Sequence, residues 1–260
     1  MKTWKLTLEY DGTKYSGWQE QLNARTVQGQ LRKATEDFLG VQVDIQGSGR
    51  TDAGVHAIAQ VAHLRARAQR SYPPPREILR ALNDRLPSDI CILDVVESTH
   101  DFHARHDASA RTYLYQISTR RTAFLKKYVW WVREPLDLAR MSQAARMLIG
   151  KHNFICFRAP DPTRPDESTI VVIDDSSIEE EGHMILFRIT GSHFLWRMVR
   201  RIVGVLVKIG KGEVTLDQFA RLLEGATDPA IDVAASTAPA SGLFLEKIDY
   251  PAARPRRARP

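Results

Sequence analysis

The order in which hydrophobic periodicities succeed one another constrains this chain most. Trp4, Leu6, Leu8 and Tyr10 alternate with Thr3, Lys5, Thr7 and Glu9, the period-two pattern of a strand with one buried face, and Asp11-Gly12 ends it in a turn. After the polar loop from Lys14 to Asn23, Val27, Leu31, Ala34 and Phe38 fall on one helical face, closed by Gly40. Strands over 41–46 and 55–64 follow. Pro73-Pro74-Pro75 then breaks the chain before a short helix carrying Ile78, Leu79, Leu82 and Leu86, and 89–97 reads as another strand. The N-terminal part is thus β-α-β-β-α-β. In the remainder, 111–118 and 128–133 read as strands, and Leu138, Met141, Ala145 and Leu148 mark a helix ended by Gly150. Two more strands, 169–173 and 184–190, precede a helix expected from Phe194 to Ile209, apolar nearly all round. Thr215 with Gln218 makes a capping box for a further helix that ends at Gly225, and 243–250 is the last strand. This order predicts an α+β protein with a mixed or antiparallel sheet, flanked by helices and built as two similar halves divided near 100–110.

Composition narrows the function classes. With 43% hydrophobic and 26% charged residues in 260, the chain can bury a sizeable core, which excludes wholesale disorder. No apolar run approaches the roughly 20 residues of a membrane helix, and the N-terminus runs into a strand pattern without an apolar signal core, so a cytoplasmic location is expected. Cys91 and Cys156 are far apart, each within an apolar run, and read as small core residues with no redox role. The formal net charge of +6 suggests a polyanionic partner, yet Arg254, Arg256, Arg257 and Arg259 supply four of those charges. Residues 252–260 are therefore expected to form a disordered basic tail, and the charge of the body is modest.

The most distinctive stretch is Gly47-Ser48-Gly49-Arg50-Thr51-Asp52-Ala53-Gly54-Val55-His56-Ala57, a loop between two predicted strands. Glycines here permit positive φ and close approach, while Arg50 and Asp52, two apart, can share one rim. Such loops are often plain turns in which the Asp caps its own backbone. No Gly-Lys-Ser/Thr follows, and the third glycine and downstream acid of a dinucleotide fingerprint are missing, so nucleotide hydrolysis is not indicated. An arginine beside Asp52 favours a charged carboxylate, which suits a nucleophile better than a general acid. His100, His103 and His106 lack the spacing of a zinc-binding helix pair, and Arg105 among them opposes a cation, so an anion-contacting edge is expected and no metal. Tyr113 and Tyr115 share one face of a strand. Tyr115 reads as core, and Tyr113 stays open between core and stacking platform. Arg197, Arg200, Arg201 and Lys208 repeat at helical spacing on an otherwise apolar helix, which points to a stripe lining a cleft and meeting phosphates or a carboxylate.

Seven separated blocks together resemble one family. They are Tyr10-Asp11-Gly12-Thr13-Lys14-Tyr15-Ser16-Gly17-Trp18-Gln19, Thr26-Val27-Gln28, 49–57, Asp101-Phe102-His103-Ala104-Arg105, Arg111-Thr112-Tyr113-Leu114-Tyr115, Phe194-Leu195-Trp196-Arg197-Met198-Val199-Arg200 and 238–245. In order and spacing, over residues 2–251, the chain resembles the TruA-type tRNA pseudouridine synthases. The resemblance implies two ferredoxin-like halves, 1–105 and 106–251, joined in one continuous sheet. It further implies a cofactor-free homodimer that binds tRNA and isomerises uridines at positions 38–40 of the anticodon stem-loop. By the same resemblance Asp52 is the nucleophile, Tyr113 stacks on the base, Arg200 pairs with Asp52, Arg50 lies near the flipped nucleotide and Leu245 belongs to the pocket wall. His103, Arg105, Arg197 and Arg201 are the expected RNA contacts. Trp196-Arg197, His106-Asp107 and Ser168 depart from the family pattern. A carboxylate at this position can attack C1′ or remove the C2′ proton, and the sequence leaves both routes open. The alternatives are an RNA-binding protein or tRNA chaperone without chemistry, needing Arg197, Arg200 and Lys208 but not Asp52, and a pseudouridine synthase for another RNA site.

Overall fold

A computed structural model of the chain describes residues 1–67, 71–161 and 166–251; the expected tail at 252–260 lies outside the described residues. The alternation at the start forms β1 (Lys2–Tyr10), whose Trp4, Leu6 and Leu8 are fully buried. Helix α1 (Val27–Leu39) begins where the Thr26 hydroxyl accepts from the Gly29 amide, and it stops at Gly40, left-handed at φ 69°. It buries Val27, Leu31 and Ala34, as its spacing predicts. Next come β2 (Val43–Gly47), β3 (His56–Ala66), α2 (Pro75–Asn83) and β4 (Ile90–Ser98). Strands β5 (Ala110–Ser118) and β6 (Trp130–Trp131), helix α3 (Leu138–Met147) and strands β7 (Gly150–Asn153), β8 (Ile170–Glu181) and β9 (Met184–Gly191) follow. Helices α4 (Met198–Gly210) and α5 (Leu216–Leu223) precede the final strand, β10 (Leu243–Asp249). The fold is α+β, and the reciprocal capping box of Thr215 and Gln218 is formed at the start of α5.

One mixed sheet carries the molecule, in the order β4-β1-β3-β10-β5-β9-β8-β7, with β2 on β3 and β6 on β5. The last strand lies in the middle, parallel to β3 and antiparallel to β5. Its position creates a break that matters for the site. Along one edge of β3, β2 covers Ala62 to Ala66 while β10 covers only His56 and Ala57. The loop 48–55 leaves β2 and returns into β3 across that break, and the Ser48 amide donates to the Val61 carbonyl (2.8 Å) within it.

Several elements differ from the periodicity, among them β8, expected over 169–173 and running to Glu181 because it pairs with β9 along that length. Gly150 ends the helical pattern but opens β7, because its chain pairs with Ile170 to Ile173 of β8. The strand expected over 128–133 is reduced to Trp130 and Trp131, paired with Ile117 and Ser118. Helix α4 starts at Met198 and not at Phe194. Arg197 takes φ 59°, and the Trp196 carbonyl accepts from the Ala159 amide (2.9 Å) instead of from a helical partner. The approach 194–197 is therefore non-helical and ends in a turn in which the Met198 amide donates to the Leu195 carbonyl (3.1 Å), which separates Arg197 from the helical repeat of Arg200 and Arg201.

Candidate active site

The loop 48–55 is held from below by the segment after β1. The Trp18 amide donates to the Thr51 carbonyl (3.0 Å), the Gly54 amide to the Tyr15 carbonyl (3.3 Å), and the Thr51 and Tyr10 hydroxyls meet at 2.8 Å in a buried contact. Gln60 bridges the break in the sheet, accepting from the Ser48 hydroxyl (2.7 Å) and donating to the Gly49 carbonyl (3.0 Å). Close approach explains the glycines. A Cβ at Gly12 would lie 1.9 Å from the Val55 carbonyl oxygen and one at Gly47 2.6 Å from the Trp18 ring. His56 completes the clamp: its Nδ1 accepts from the Gly12 amide (3.1 Å) and its Nε2 meets the Lys127 carbonyl (3.0 Å). Burial, opposed by the nearby Asp11 carboxylate, lowers its pKa, which fits a neutral ring donating through Nε2.

This frame presents Asp52 to a cleft of about 620 Å³. One carboxylate oxygen accepts from the Trp196 indole Nε1 (3.1 Å), and the other faces Arg200 Nη1 at 3.4 Å. Arg200 is itself fixed: its Nε donates to the Ala238 carbonyl (2.7 Å), and the Ala238 amide donates back to the Arg200 carbonyl (3.0 Å). The carboxylate therefore meets two donors from 144 and 148 residues away. Tyr113 lies in the wall, its ring edge-on to Phe194 with centroids 5.1 Å apart. Burial first, then the Asp52 charge, push its phenol up to about 12, so Tyr113 is an un-ionised hydroxyl at neutral pH.

The remaining candidates divide. Arg50, Arg105 and Arg197 line the cleft, with the Arg197 guanidinium 5.0 Å from the Trp196 ring centroid. Leu245 is fully buried beneath it, paired with Tyr113 on one side and Ala57 on the other, while Leu243 reaches the cleft itself. Arg201 turns away. It is 8% exposed and donates through Nη1 to the Arg158 carbonyl, so the spacing-based stripe does not exist as one surface. His103 also faces elsewhere, its ring 4.7 Å from that of His63 and its Nδ1 accepting from the Arg105 amide (3.2 Å). It supports the backbone that carries Arg105. Among the described residues no three His, Cys, Asp or Glu side chains converge as metal ligands.

Two residues not singled out for a role from sequence complete the site. Trp196 is the second donor to Asp52. Arg111, only 9% exposed, donates to four carbonyls: Ala108 (3.2 Å) and Ser192 (2.7 Å) through Nη1, Ser48 (3.1 Å) and Arg105 (2.6 Å) through Nη2. It ties the loop 48–55 to the Arg105 segment and to the end of β9. The signal was present, since residues 111 and 113 share a strand face, but spacing does not say which carbonyls a guanidinium will meet. Arg111→Met is expected to strand these acceptors and destabilise the fold by about 3 kcal/mol. A urea midpoint unchanged from wild type would show that the four bonds contribute nothing net.

Comparisons with known proteins bear on the family of the chain. A family model described as tRNA pseudouridine synthase matches residues 7–107 and 144–251, which include Asp52, Trp196 and Arg200 and leave out Tyr113. The chain belongs to this family. It is 38% identical to the tRNA pseudouridine synthase A of Agrobacterium fabrum, with 100% of this chain and 97% of the relative covered. It is 38% identical to the protein of the same name from Acetivibrio thermocellus, covering 96% of this chain and 100% of the relative. The tRNA pseudouridine synthase A 2 of Clostridium perfringens is 37% identical, with the same coverage. Membership in this synthase family makes the chain an isomerase.

Proposed function

We propose that the chain converts uridine to pseudouridine in tRNA, at positions 38–40 of the anticodon stem-loop, with Asp52 as nucleophile. The observation that carries this reading is the Asp52 carboxylate, held between the Trp196 indole and the Arg200 guanidinium in a cleft lined by Arg50, Arg105 and Arg197. The family match supports the reaction and the tRNA substrate; the resemblance of the motif blocks supports the stem-loop and a homodimer. The halves 1–105 and 106–251 fit a cleft to which residues 48–55 contribute one wall and residues 193–200 the other.

Pseudouridine formation breaks the N1–C1′ bond, turns the uracil and joins C5 to C1′. A stacked nucleotide shields C1′, so the target must be flipped out, at a cost of a few kcal/mol. Asp52 then either attacks C1′, displacing uracil with the N1–C1′ electron pair, or takes the C2′ proton as that bond breaks. Arg200 stabilises the carboxylate in both cases. Tyr113, un-ionised and fixed by Phe194, stacks on the freed base and offers its hydroxyl as it turns. C5 then bonds to C1′, displacing the Asp52 carboxylate in the first route or adding to the C1′–C2′ double bond as Asp52 returns the proton to C2′ in the second; loss of the C5 proton and protonation of N1 complete the isomerisation. The Arg50, Arg105 and Arg197 cations serve phosphates, so binding should weaken steeply with salt.

The purified chain is expected to release tritium from tRNA labelled at uridine C5; no release from any tRNA would end this reading. Tyr113→Phe keeps the ring and removes the hydroxyl. Its turnover is expected to fall by about 100-fold with tRNA affinity nearly unchanged, measured by single-turnover tritium release and filter binding. A wild-type rate would leave the hydroxyl without a role.

A further inference from the structure

Outside the cleft, the connection from β5 to the chain beyond β6 has a composition that the reaction does not use. Residues 119–133 carry Arg120, Arg121, Lys126, Lys127 and Arg133 and no acid. The segment also exposes large apolar surface: Phe124 is 93% exposed, and Leu125 and Trp131 are each more than two-fifths exposed. Arg121 sits over the Trp131 ring, 5.8 Å from its centroid. Among the described residues no carboxylate lies within ion-pair distance of Arg120, Arg121, Lys126 or Lys127. Exposed aromatics flanked by uncompensated cations form a surface complementary to an RNA strand, since rings stack on bases and cations meet phosphates.

The segment is anchored rather than loose. Tyr128 donates its hydroxyl to Asp11 (3.0 Å), the Lys127 carbonyl meets His56 Nε2 (3.0 Å), and the Ser241 hydroxyl donates to the Val129 carbonyl (3.3 Å). The Val132 amide donates to the Ser118 carbonyl (3.0 Å) and β6 pairs with β5. These anchors belong to the same frame that supports the loop 48–55. Asp11 and Gly12 precede the Ser16 to Gln21 rim of the cleft, and His56 directly follows the cleft-lining Val55. Lys14, exposed, lies in the chain between Asp11, which holds Tyr128, and the cleft-lining Ser16.

We propose that residues 119–131 form a second RNA-binding surface that engages tRNA nucleotides outside the anticodon stem-loop, Phe124 by stacking and Arg121, Lys126 and Lys127 by phosphate contact. This rests on the tRNA reading of the cleft and adds a contact that lengthens the recognised RNA. The surface would favour a whole tRNA over a free stem-loop without touching the chemistry.

The test is filter binding of a full-length tRNA transcript and of its isolated anticodon stem-loop to wild type, to the triple variant Arg121→Ala/Lys126→Ala/Lys127→Ala and to Phe124→Ala. All four side chains are exposed, so folding should be retained, and melting curves check it. For full-length tRNA the triple variant is expected to lose about 30-fold in affinity, with the slope of log Kd against log salt reduced by about 2 to 3. Phe124→Ala is expected to lose about tenfold. Affinity for the isolated stem-loop should stay within about twofold of wild type. Unchanged affinity for full-length tRNA overturns the proposal, and so does an equal loss for both RNAs, which would place the segment in the stem-loop contact. Loss of adsorption to phosphatidylserine vesicles with tRNA binding intact would assign the surface to membranes and also overturn it. Wild-type turnover of the same tRNA, followed in parallel, separates these outcomes from failure of the synthase reading: without turnover the function falls, whereas turnover with unaltered variant binding removes only the second surface.

Discussion

Asp52→Asn is expected to abolish tritium release from C5-labelled tRNA, by about 10,000-fold or more, while binding tRNA within about twofold of wild type. The substitution is nearly isosteric. An amide oxygen can still accept from the Trp196 indole, and the loop 48–55 keeps its bonds to Trp18, Tyr15 and Gln60, none of which involves the Asp52 side chain. What is lost is the charge facing Arg200 and the oxygen able to attack C1′ or accept the C2′ proton. Filter binding and single-turnover assays on the same preparation separate the two effects. Turnover within tenfold of wild type would remove Asp52 from the chemistry, and a parallel loss of binding would recast it as an RNA-contacting residue.

Arg200 is the next largest. Arg200→Met preserves much of the aliphatic stem and removes both the Asp52 contact and the bond to the Ala238 carbonyl, so turnover is expected to fall by about 1,000-fold. Arg200→Lys tests whether charge alone suffices. A single ammonium cannot reproduce a fork whose Nε holds Ala238 while Nη1 faces Asp52, so lysine is expected to recover less than a tenth of the lost rate. Single-turnover rates decide, and near-wild-type turnover in the lysine variant would show that orientation by Ala238 is irrelevant.

The parts of the fold governed by local periodicity were legible in the sequence. The alternation in β1, the buried face of α1 and the Thr215 cap each depend on residues a few positions apart, and the structure forms all three. Elements that depend on distant partners were not. Nothing near Gly150 shows that β8 will pair with it, and nothing near Phe194 shows that Ala159 will take the Trp196 carbonyl and delay α4. That delay has a direct consequence for reading the arginines. Spacing put Arg197, Arg200 and Arg201 on one stripe, whereas the bend at Arg197 leaves Arg200 facing Asp52 and Arg201 inside, bonded to Arg158. The loop 48–55 was conspicuous by composition, but its partners come from β1, β5 and the approach to α4. Arg111 illustrates the limit most clearly, because its four acceptors are backbone carbonyls, which any residue type can supply.

The central claim is that this cleft isomerises uridines of the tRNA anticodon stem-loop through Asp52. The direct measurement is to map pseudouridine along an unmodified tRNA transcript after incubation with the purified wild-type chain and, separately, with Asp52→Asn. The account predicts pseudouridine at positions 38–40 with wild type and at no position with the variant. Pseudouridine only elsewhere in the tRNA, or the same pattern from both proteins, would contradict it.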